Sequence, residues 1–207
     1  MADTGPLGAL GLDDRLDQQL RFLVAIDALK HVERRNLTTD GARRENSAEH
    51  SWHLALYVHV LAEHSPAPVD VGRVVLMALV HDIVEVDAGD TFVYDAAGRA
   101  AQVAREQAAA DRLFALLPDD QALAVRDLWD DFCAAATPEA QLAQAIDRLQ
   151  PIVHNFLTEG VRWRDHGVSA GQVRAVNFAV VDAVPAVAVP LRRRAPPPVV
   201  GVWPAGC

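Results

Sequence analysis

The 207-residue sequence has only two cysteines and no apolar run long enough to cross a bilayer, which needs roughly 20 apolar residues. Its first residues, MADTGPLGALGLDDRLDQQL, lack the basic region and apolar core of a secretory signal. Cys133 and Cys207 form no framework of spaced pairs, and we expect Cys133 to be an inert core residue. These absences predict a protein of the reducing cytoplasm that has no membrane partner.

The sequence also lacks a basic excess, since its formal net charge is −9. Domains that bind nucleic acid polymers usually carry a basic surface, so such a polymer is not an expected partner. A small anionic substrate stays compatible with this charge, because a metal ion and a few arginines reverse the field inside a cleft.

Aromatic residues make up only 6% of the chain, whereas hydrophobic residues make up 51% and are mostly alanine, leucine and valine. Alanine and leucine favour helices, and no stretch alternates in the manner of a strand. We therefore expect one all-α domain, a single helical bundle over residues 13–184, with an N-terminal extension over 1–12 and a proline-rich tail over 185–207. Helical periodicity predicts helices over residues 13–33, 47–64, 70–86, 98–117, 119–136, 137–159 and 169–182.

Capping residues support several of these boundaries. Asn46 followed by Glu49 resembles a capping box, and Thr137 followed by Pro138 has the form of an N-cap before a first-turn proline. Pro151 inside the sixth helix predicts a kink or a break. The polar segment 34–46 predicts a loop.

Two histidines and two aspartates fall on core-facing or core-edge positions of three predicted helices. His50 and His81 continue the apolar stripes of their helices, Asp82 is adjacent to His81, and Asp147 borders the stripe of the sixth helix. A buried imidazole beside a buried carboxylate needs a compensating partner. Two imidazoles and two carboxylates form a ligand set for a divalent metal ion, and facing helices of a bundle commonly supply such ligands.

Each of these residues also has an ordinary structural interpretation. A single inward-facing histidine such as His50 is most often a hydrogen-bonded core residue, and a single Asp147 would most often form a surface ion pair. No basic residue lies three or four positions from Asp147, which weakens the second interpretation. The combination of the four residues favours the metal site.

The segments ENSAEHSWHLAL, MALVHDIVEVDAGD and AIDRLQ resemble the HD-domain superfamily, and within it the small 5′-deoxynucleotidase branch, over about residues 15–160. The resemblance implies a phosphohydrolase that acts on nucleoside 5′-monophosphates and forms a homodimer. It also implies that one divalent metal ion (Co, Mn, Fe, Zn or Ni) is held by His50, His81, Asp82 and Asp147.

The extended motif adds candidates for chemistry and substrate binding. Glu85 follows His81 by one helical turn, and the resemblance implies roles in acid–base chemistry and substrate binding for Glu85 and Asp90. The structural alternatives are a salt bridge for Glu85 and a turn position for Asp90. In that branch an arginine about fifteen residues before the first histidine binds phosphate, and both Arg34 and Arg35 match it.

Other functions compete with a phosphomonoesterase. A phosphodiesterase or a nucleotide triphosphohydrolase uses the same scaffold, and a non-catalytic metal- or nucleotide-binding regulator would keep the same ligands. A dinuclear iron oxygenase is disfavoured, because no histidine lies between Asp82 and Asp147. We expect loop 86–97 to form one wall of the pocket and Trp52 and Trp129 to lie in the core. The remaining histidines lack ligand partners in sequence and are assigned core or surface positions: His31, His53, His59, His64, His154 and His166.

Overall fold

The computed structural model describes residues 11–178 and 185–186, and within them the fold is helical with one small hairpin, which confirms the all-α prediction. The strands are β1 (Glu33–Leu37) and β2 (Arg44–Asn46). The α-helices are α1 (Asp14–Ile26), α2 (Ser47–Leu61), α3 (Val71–Val80), α4 (Glu85–Ala88), α5 (Ala96–Phe114), α6 (Asp119–Ala134), α7 (Pro138–Leu157), α8 (Val161–Asp165) and α9 (Ala170–Val173). Short 3₁₀ helices follow α1 and α2, and a π-helical turn follows α9: Asp27–His31, Ala62–His64 and Arg174–Phe178.

The capping predictions for α2 and α7 are confirmed. The Asn46 side chain accepts a hydrogen bond from the backbone N–H of Glu49 at 2.9 Å, and the Glu49 carboxylate accepts one from the Asn46 N–H at 2.7 Å. Thr137 caps α7 and Pro138 occupies its first turn. These local hydrogen bonds satisfy backbone donors that a helix start leaves without partners, so both helices begin where the sequence predicts.

The predicted helix over residues 70–86 is interrupted at residues 81–84, between α3 and α4. Helix α3 ends at Val80, and the chain continues in tighter turns, with Ile83 N–H donating to Val80 O and Glu85 N–H donating to Asp82 O. Periodicity does not reveal this change, because the side-chain spacing of such turns is close to that of an α-helix. The metal-ligand candidates His81 and Asp82 lie in this turn segment.

The predicted loop over residues 34–46 is also wrong, because β1 and β2 pair as an antiparallel hairpin. Glu33 lies opposite Asn46 and Leu37 lies opposite Arg44, with an irregularity between them. The strands are short and polar, so no alternation marks them in the sequence. Helix α7 contributes to holding the hairpin, since His154 Nδ1 donates to the backbone oxygen of Leu37 at 3.0 Å, and tertiary contacts of this kind override local propensity.

Helix α7 continues through Pro151, so the alternative of a break is excluded. Three apolar clusters form the core of the described residues, and the smallest of them joins the second half of α7 to α8 and α9. The first joins α2, α3 and α7, and the second joins α1, α5 and α6 to the turn. Their largest buried members are Leu54, Val58, Val74, Met77, Leu142 and Ile146 in the first cluster and Phe22, Leu113, Phe114 and Trp129 in the second.

Three predicted core residues have different outcomes. Trp129 is 2% exposed, which confirms its prediction, and its Nε1 donates to the backbone oxygen of His81 at 3.2 Å. Trp52 is 61% exposed and Cys133 is exposed, so both predictions are wrong. Trp52 lies on the side of α2 opposite the core, and the face of a helix that becomes buried depends on what packs against it.

The segments 1–12 and 185–207 lie almost wholly outside the described residues, as does the end of the predicted helix 169–182. Its described part is α9 and the π-helical turn, and Ser169 and Gln172 form a capping box at its start. Within the part of the chain that the structure describes, no helix has the length and apolarity that a bilayer crossing requires.

Candidate metal centre

The side chains predicted to hold a metal converge between α2, the α3–α4 turn and α7. His50, His81 and Asp147 each offer a ligand atom, and these atoms lie within 4.8 Å of one another. Asp147 Oδ1 lies 3.1 Å from His50 Nε2 and 3.7 Å from His81 Nε2. Asp82 completes the group, because its Oδ1 lies 3.0 Å from His81 Nε2 and its Oδ2 lies 3.8 Å from His50 Nε2.

The donor atoms of this cluster fit a divalent cation. His81 donates from Nδ1 to the backbone oxygen of Ala78 at 2.9 Å, so its Nε2 faces the two carboxylates. That Nε2 is buried and makes no hydrogen bond to any described residue, although Asp82 Oδ1 is near. In a metal-bound histidine, the ring nitrogen that does not bind the metal usually donates a hydrogen bond, for example to a backbone carbonyl. An unpartnered imidazole nitrogen beside two buried carboxylates therefore suits a metal ligand.

Without a cation, the four groups compensate each other's charge. Burial opposes a charge on His81, but Asp82 and Asp147 raise its pKa to about 10. Burial also opposes a charge on Asp82, but His81 and Arg34 lower its pKa to about 2. The hydrogen bond from His50 and the charge of the nearby His81 imidazole hold the pKa of Asp147 well below its usual range despite its burial. Asp82 and Asp147 are therefore ionised in the cluster, because positively charged groups face them.

Glu85 lies beside this cluster, and the charge of Arg34 acts on its carboxyl group. It is 7% exposed, and Ser47 Oγ donates to its Oε2 at 2.5 Å. Burial and the charge of Asp82 raise the pKa of Glu85 well above its usual range, although Arg34 opposes the shift. A carboxyl group of this kind holds a proton at a pH where ordinary glutamates are ionised.

Asp90 enters the cleft because of the turn that ends α4. Gly89 adopts a φ of 71° there, a conformation that glycine reaches without steric cost. Asp90 and Thr91 line the cavity that contains the metal cluster, so the prediction that loop 86–97 forms a wall is confirmed. Burial raises the pKa of Asp90, and Arg34 opposes this shift.

The structure distinguishes the two arginines that the sequence left open. Arg34 Nη1 donates to Asp82 Oδ2 at 2.6 Å, and only 12% of its side chain is exposed. Arg35 is exposed, and its backbone oxygen accepts a hydrogen bond from Arg162 Nε at 2.8 Å. Successive side chains of a strand point to opposite faces, so β1 directs Arg34 inward and Arg35 toward the rim.

A second cavity adjoins the metal cavity and shares walls with it. The shared lining consists of Arg34, Asp90, Thr91, Val93 and Arg148. The second cavity is also lined by Arg35 and Arg162, so among the described residues four guanidinium groups and one carboxylate, that of Asp90, line it. Sequence reasoning missed Arg148, although its position directly after Asp147 was a signal for it.

His53 and His154, which the sequence assigns to core or surface positions, are half-buried and buried, respectively. Both lie with Glu45 in a second group whose potential ligand atoms are within 4.8 Å of one another. Gln150 Nε2 lies 2.9 Å from Glu45 Oε1 and 3.1 Å from His53 Nδ1. An amide donor between these acceptors supplies the positive pole that a cation would supply, which favours a hydrogen-bonded network.

Comparison with known proteins agrees with this geometry. The model of the HD domain family matches residues 26–188. The crystal structure of a predicted metal-dependent phosphohydrolase from Magnetospirillum magnetotacticum MS-1 is 46% identical, has a TM-score of 0.83, and covers 87% of this chain and 91% of that chain. A conserved hypothetical protein from Pyrococcus furiosus, 21% identical with a TM-score of 0.57 over 84% of this chain and 99% of its own, shares the fold.

Among curated proteins, the 5′-deoxynucleotidase HDDC2 of Danio rerio is 27% identical over 139 residues, which are 67% of this chain and 68% of that protein. The human HDDC2 is 27% identical over 135 residues, or 65% of each chain. The chain belongs to the HD domain family. Its resemblance to HD-superfamily phosphohydrolases and its assignment as a hydrolase, both predicted from the sequence, are confirmed.

Proposed function

We propose that this protein is a divalent-metal-dependent phosphomonoesterase that releases phosphate from (deoxy)nucleoside 5′-monophosphates or a related small phosphate ester. The observation that carries this proposal is the convergence of two imidazoles and two carboxylates beside the inward-facing guanidinium of Arg34. The similarity to proteins named 5′-deoxynucleotidase supports the substrate class.

In this proposal His50, His81, Asp82 and Asp147 hold one divalent ion, and Co, Mn, Fe, Zn and Ni all accept such ligands. When bound, the ion polarises a phosphoryl oxygen and lowers the pKa of a coordinated water. The chain's own contribution is to hold the four donor atoms close together before the ion arrives. That arrangement depends on the burial of His50 and His81, which are 0% and 5% exposed.

Arg34 is the proposed phosphate-binding residue. Its Nη1 is paired with Asp82, which leaves Nη2 to donate to a phosphate oxygen beside the metal cluster. A guanidinium keeps its charge at every physiological pH and suits the planar recognition of phosphate. Arg148 lines the same cavity and supplies a second positive charge at its rim. Arg35 lines the outer part of the cleft, so we assign it a secondary role in attracting the substrate.

Glu85 is the proposed proton donor to the leaving 5′-oxygen. Its raised pKa keeps a proton on the carboxyl group, and the hydroxyl of Ser47 fixes the orientation of that group. General acid–base catalysis by a positioned carboxyl contributes about 10²–10⁴-fold to rate. Asp90, on the shared wall of the two cavities, is placed to accept a hydrogen bond from a sugar hydroxyl of the substrate.

A nucleotide triphosphohydrolase is the second candidate, and the cavity next to the metal centre favours it. Arg35, Arg148 and Arg162 line that cavity in addition to Arg34, so it has positive charge for more than one phosphate. However, Arg162 is already engaged by Asp165 and by the backbone oxygen of Arg35, which reduces the charge that it can offer.

A phosphate-release screen tests the proposal. The metal-free protein is loaded in turn with Mn²⁺, Co²⁺, Zn²⁺, Ni²⁺ or Mg²⁺ and offered nucleoside 5′-monophosphates, triphosphates, a phosphodiester and sugar phosphates. We expect inorganic phosphate and nucleoside from the monophosphates. Release of triphosphate from nucleoside triphosphates would support the second candidate. Inactivity toward every ester with every metal would contradict both.

The homodimer implied by the resemblance and the cytoplasmic location stay predictions. One feature supports a second copy of this chain as the partner. Trp52, Leu56 and Val60 recur at four-residue intervals on α2 and are 61%, 45% and 64% exposed. Contiguous exposed apolar residues of this kind favour a protein interface.

A further inference from the structure

Glu45 is a buried carboxylate that the proposed chemistry does not use. It lies in β2, directly before the cap of α2, and its side chain is 3% exposed. Its Oε1 accepts a hydrogen bond from Gln150 Nε2 at 2.9 Å. Its Oε2 is buried and has no hydrogen-bond partner among the described residues. A buried carboxylate oxygen without a partner is costly, so its position requires a compensating contact.

Two buried nitrogens without partners lie close to this oxygen. His50 Nδ1 lies 3.6 Å from Glu45 Oε2, and Arg34 Nε lies 3.9 Å from it. Within the described part of the chain, neither nitrogen makes a hydrogen bond. Hydrogen bonds from nitrogen to oxygen span about 2.7–3.2 Å, so the two separations, 3.6 and 3.9 Å, exceed that range by less than about 1 Å. The unpartnered atoms are therefore complementary to one another.

The two donors belong to the two functional parts of the centre. His50 directs Nε2 toward Asp147, so its other nitrogen, Nδ1, must carry the proton when Nε2 binds a metal. Metal-bound histidines donate that second N–H to a carboxylate, a carbonyl or water. His81 already does so to a backbone carbonyl. For His50 the carboxylate of Glu45 offers the equivalent acceptor.

We propose that Glu45 is a positioning residue, whose Oε2 accepts hydrogen bonds from His50 Nδ1 and Arg34 Nε and so orients a metal ligand and the phosphate-binding arginine together. The half that concerns Arg34 rests on the proposed function, whereas the half that concerns His50 rests on metal binding alone. The same carboxylate is linked through Gln150 to α7, which also supplies Asp147. The Glu45 side chain thereby connects β1, α2 and α7 at the candidate metal centre.

The test is the Glu45→Gln variant, titrated with Mn²⁺ or Co²⁺ in a calorimeter after removal of metal. Glutamine has the same size but only one acceptor oxygen and no charge. We expect the dissociation constant for the metal to rise about 10–100-fold, the usual effect of losing a partner of a metal ligand. The control is Glu49→Gln, which makes the same substitution next to His50 on a residue that pairs with Arg43. Its metal affinity should equal that of the wild type.

The melting temperature of the metal-free variants separates positioning from a structural role. If Glu45 only holds the hairpin in place, Glu45→Gln lowers the melting temperature and leaves the metal affinity unchanged, which overturns the proposal. If Glu45→Gln does not fold, Glu45→Asp keeps the charge but shortens the side chain, and it should weaken metal binding in the same direction. Wild-type metal affinity in a folded Glu45→Asp protein would then overturn the proposal.

The proposed role of Glu45 toward Arg34 is tested with inorganic phosphate as the probe. Phosphate binding to the metal-saturated protein should weaken in Glu45→Gln at metal concentrations that restore full occupancy. Unchanged phosphate affinity there would overturn the role toward Arg34 and leave the role toward His50. Failure of the proposed function is distinguishable, because weaker metal binding by Glu45→Gln in a protein without phosphatase activity would support Glu45 as a positioning residue and refute only the activity.

Discussion

Arg34 donates from Nη1 to Asp82 Oδ2 at 2.6 Å and thereby joins the hairpin to the turn between α3 and α4. This contact places a permanent positive charge directly beside a candidate metal ligand. The charge lowers the pKa of Asp82 and opposes the rise in the pKa of Glu85. It therefore keeps the candidate ligand Asp82 ionised, and it limits how far the pKa of Glu85, the proposed acid, rises.

We expect Arg34→Ala to lower kcat/KM for a nucleoside 5′-monophosphate about 10–100-fold, because a hydrogen bond to a charged group contributes about 1.5–3 kcal/mol. The matched control is Arg35→Ala, which removes the neighbouring arginine on the opposite face of β1 and should have a much smaller effect. Steady-state kinetics on both variants gives the comparison. A larger loss in Arg35→Ala would show that the rim arginine binds the phosphate.

Asp82→Ala should abolish stoichiometric metal binding together with activity. The substitution removes one of the converging carboxylates and leaves Arg34 Nη1 without its partner. Metal analysis of the purified protein measures the effect. Asp87→Ala is the control, since Asp87 is paired with Arg112 away from the cluster. Equal metal content in wild type and Asp82→Ala would contradict the role of Asp82.

Glu85→Gln should keep its metal and lose turnover by about 10²–10⁴-fold, the usual contribution of general acid–base catalysis. Glutamine retains the size of the side chain but has no proton to transfer. The measurements are metal analysis and phosphate release at saturating substrate, with the exposed Glu63→Gln as control. Near-normal turnover would make Glu85 structural, and loss of the metal would instead make it a ligand.

Metal affinity should fall as the pH falls. Burial disfavours the charged form of His81, but Asp82 and Asp147 raise its pKa to about 10 from 6.5, so the metal-free protein carries a proton there at neutral pH. A metal must displace that proton, which weakens binding by up to about tenfold for each pH unit below 10. Calorimetry in buffers of different ionisation enthalpy counts the protons released. Metal affinity independent of pH between about 6.5 and 8.5 would contradict this account.

The raised pKa of His81 also affects the stability of the metal-free protein, which should increase as the pH falls, whereas metal affinity decreases. A group whose pKa is raised by folding stabilises the folded state below its unfolded pKa, and this contribution is lost as the pH rises toward the folded value. His81 therefore stabilises the metal-free protein at pH 6.5 and below, and progressively less up to about pH 10. The melting temperature of the metal-free protein, measured over this range, tests the direction of the change.

The predicted homodimer is tested by light scattering, with a monomer mass of 22.4 kDa as reference. We expect twice this mass for the wild type and the monomer mass for Trp52→Glu, because a charge on the exposed apolar face of α2 disfavours its burial in an interface. A wild-type mass near 22.4 kDa would contradict the dimer. A dimeric Trp52→Glu protein would place the interface elsewhere.

Most of the helices and the inward-facing positions of His50 and Asp147 were predictable because both depend on local spacing. A histidine or an aspartate on or beside the apolar stripe of a helix faces the core wherever that helix packs, as His50 and Asp147 do, whereas His81 lies in the turn after α3 and reaches them from there. Capping hydrogen bonds span three residues, and they set the starts of α2 and α7 directly.

The tertiary structure decided what depends on partners distant in sequence. The hairpin has no alternating pattern of its own, and Arg34 became distinguishable from Arg35 only once β1 lay beside Asp82, 48 residues away. The position of Glu45 depends on its contacts with Gln150, 105 residues away, and with His50. A sequence pattern records which face of an element is apolar, but the partner of a buried charge is fixed only when separate elements pack together.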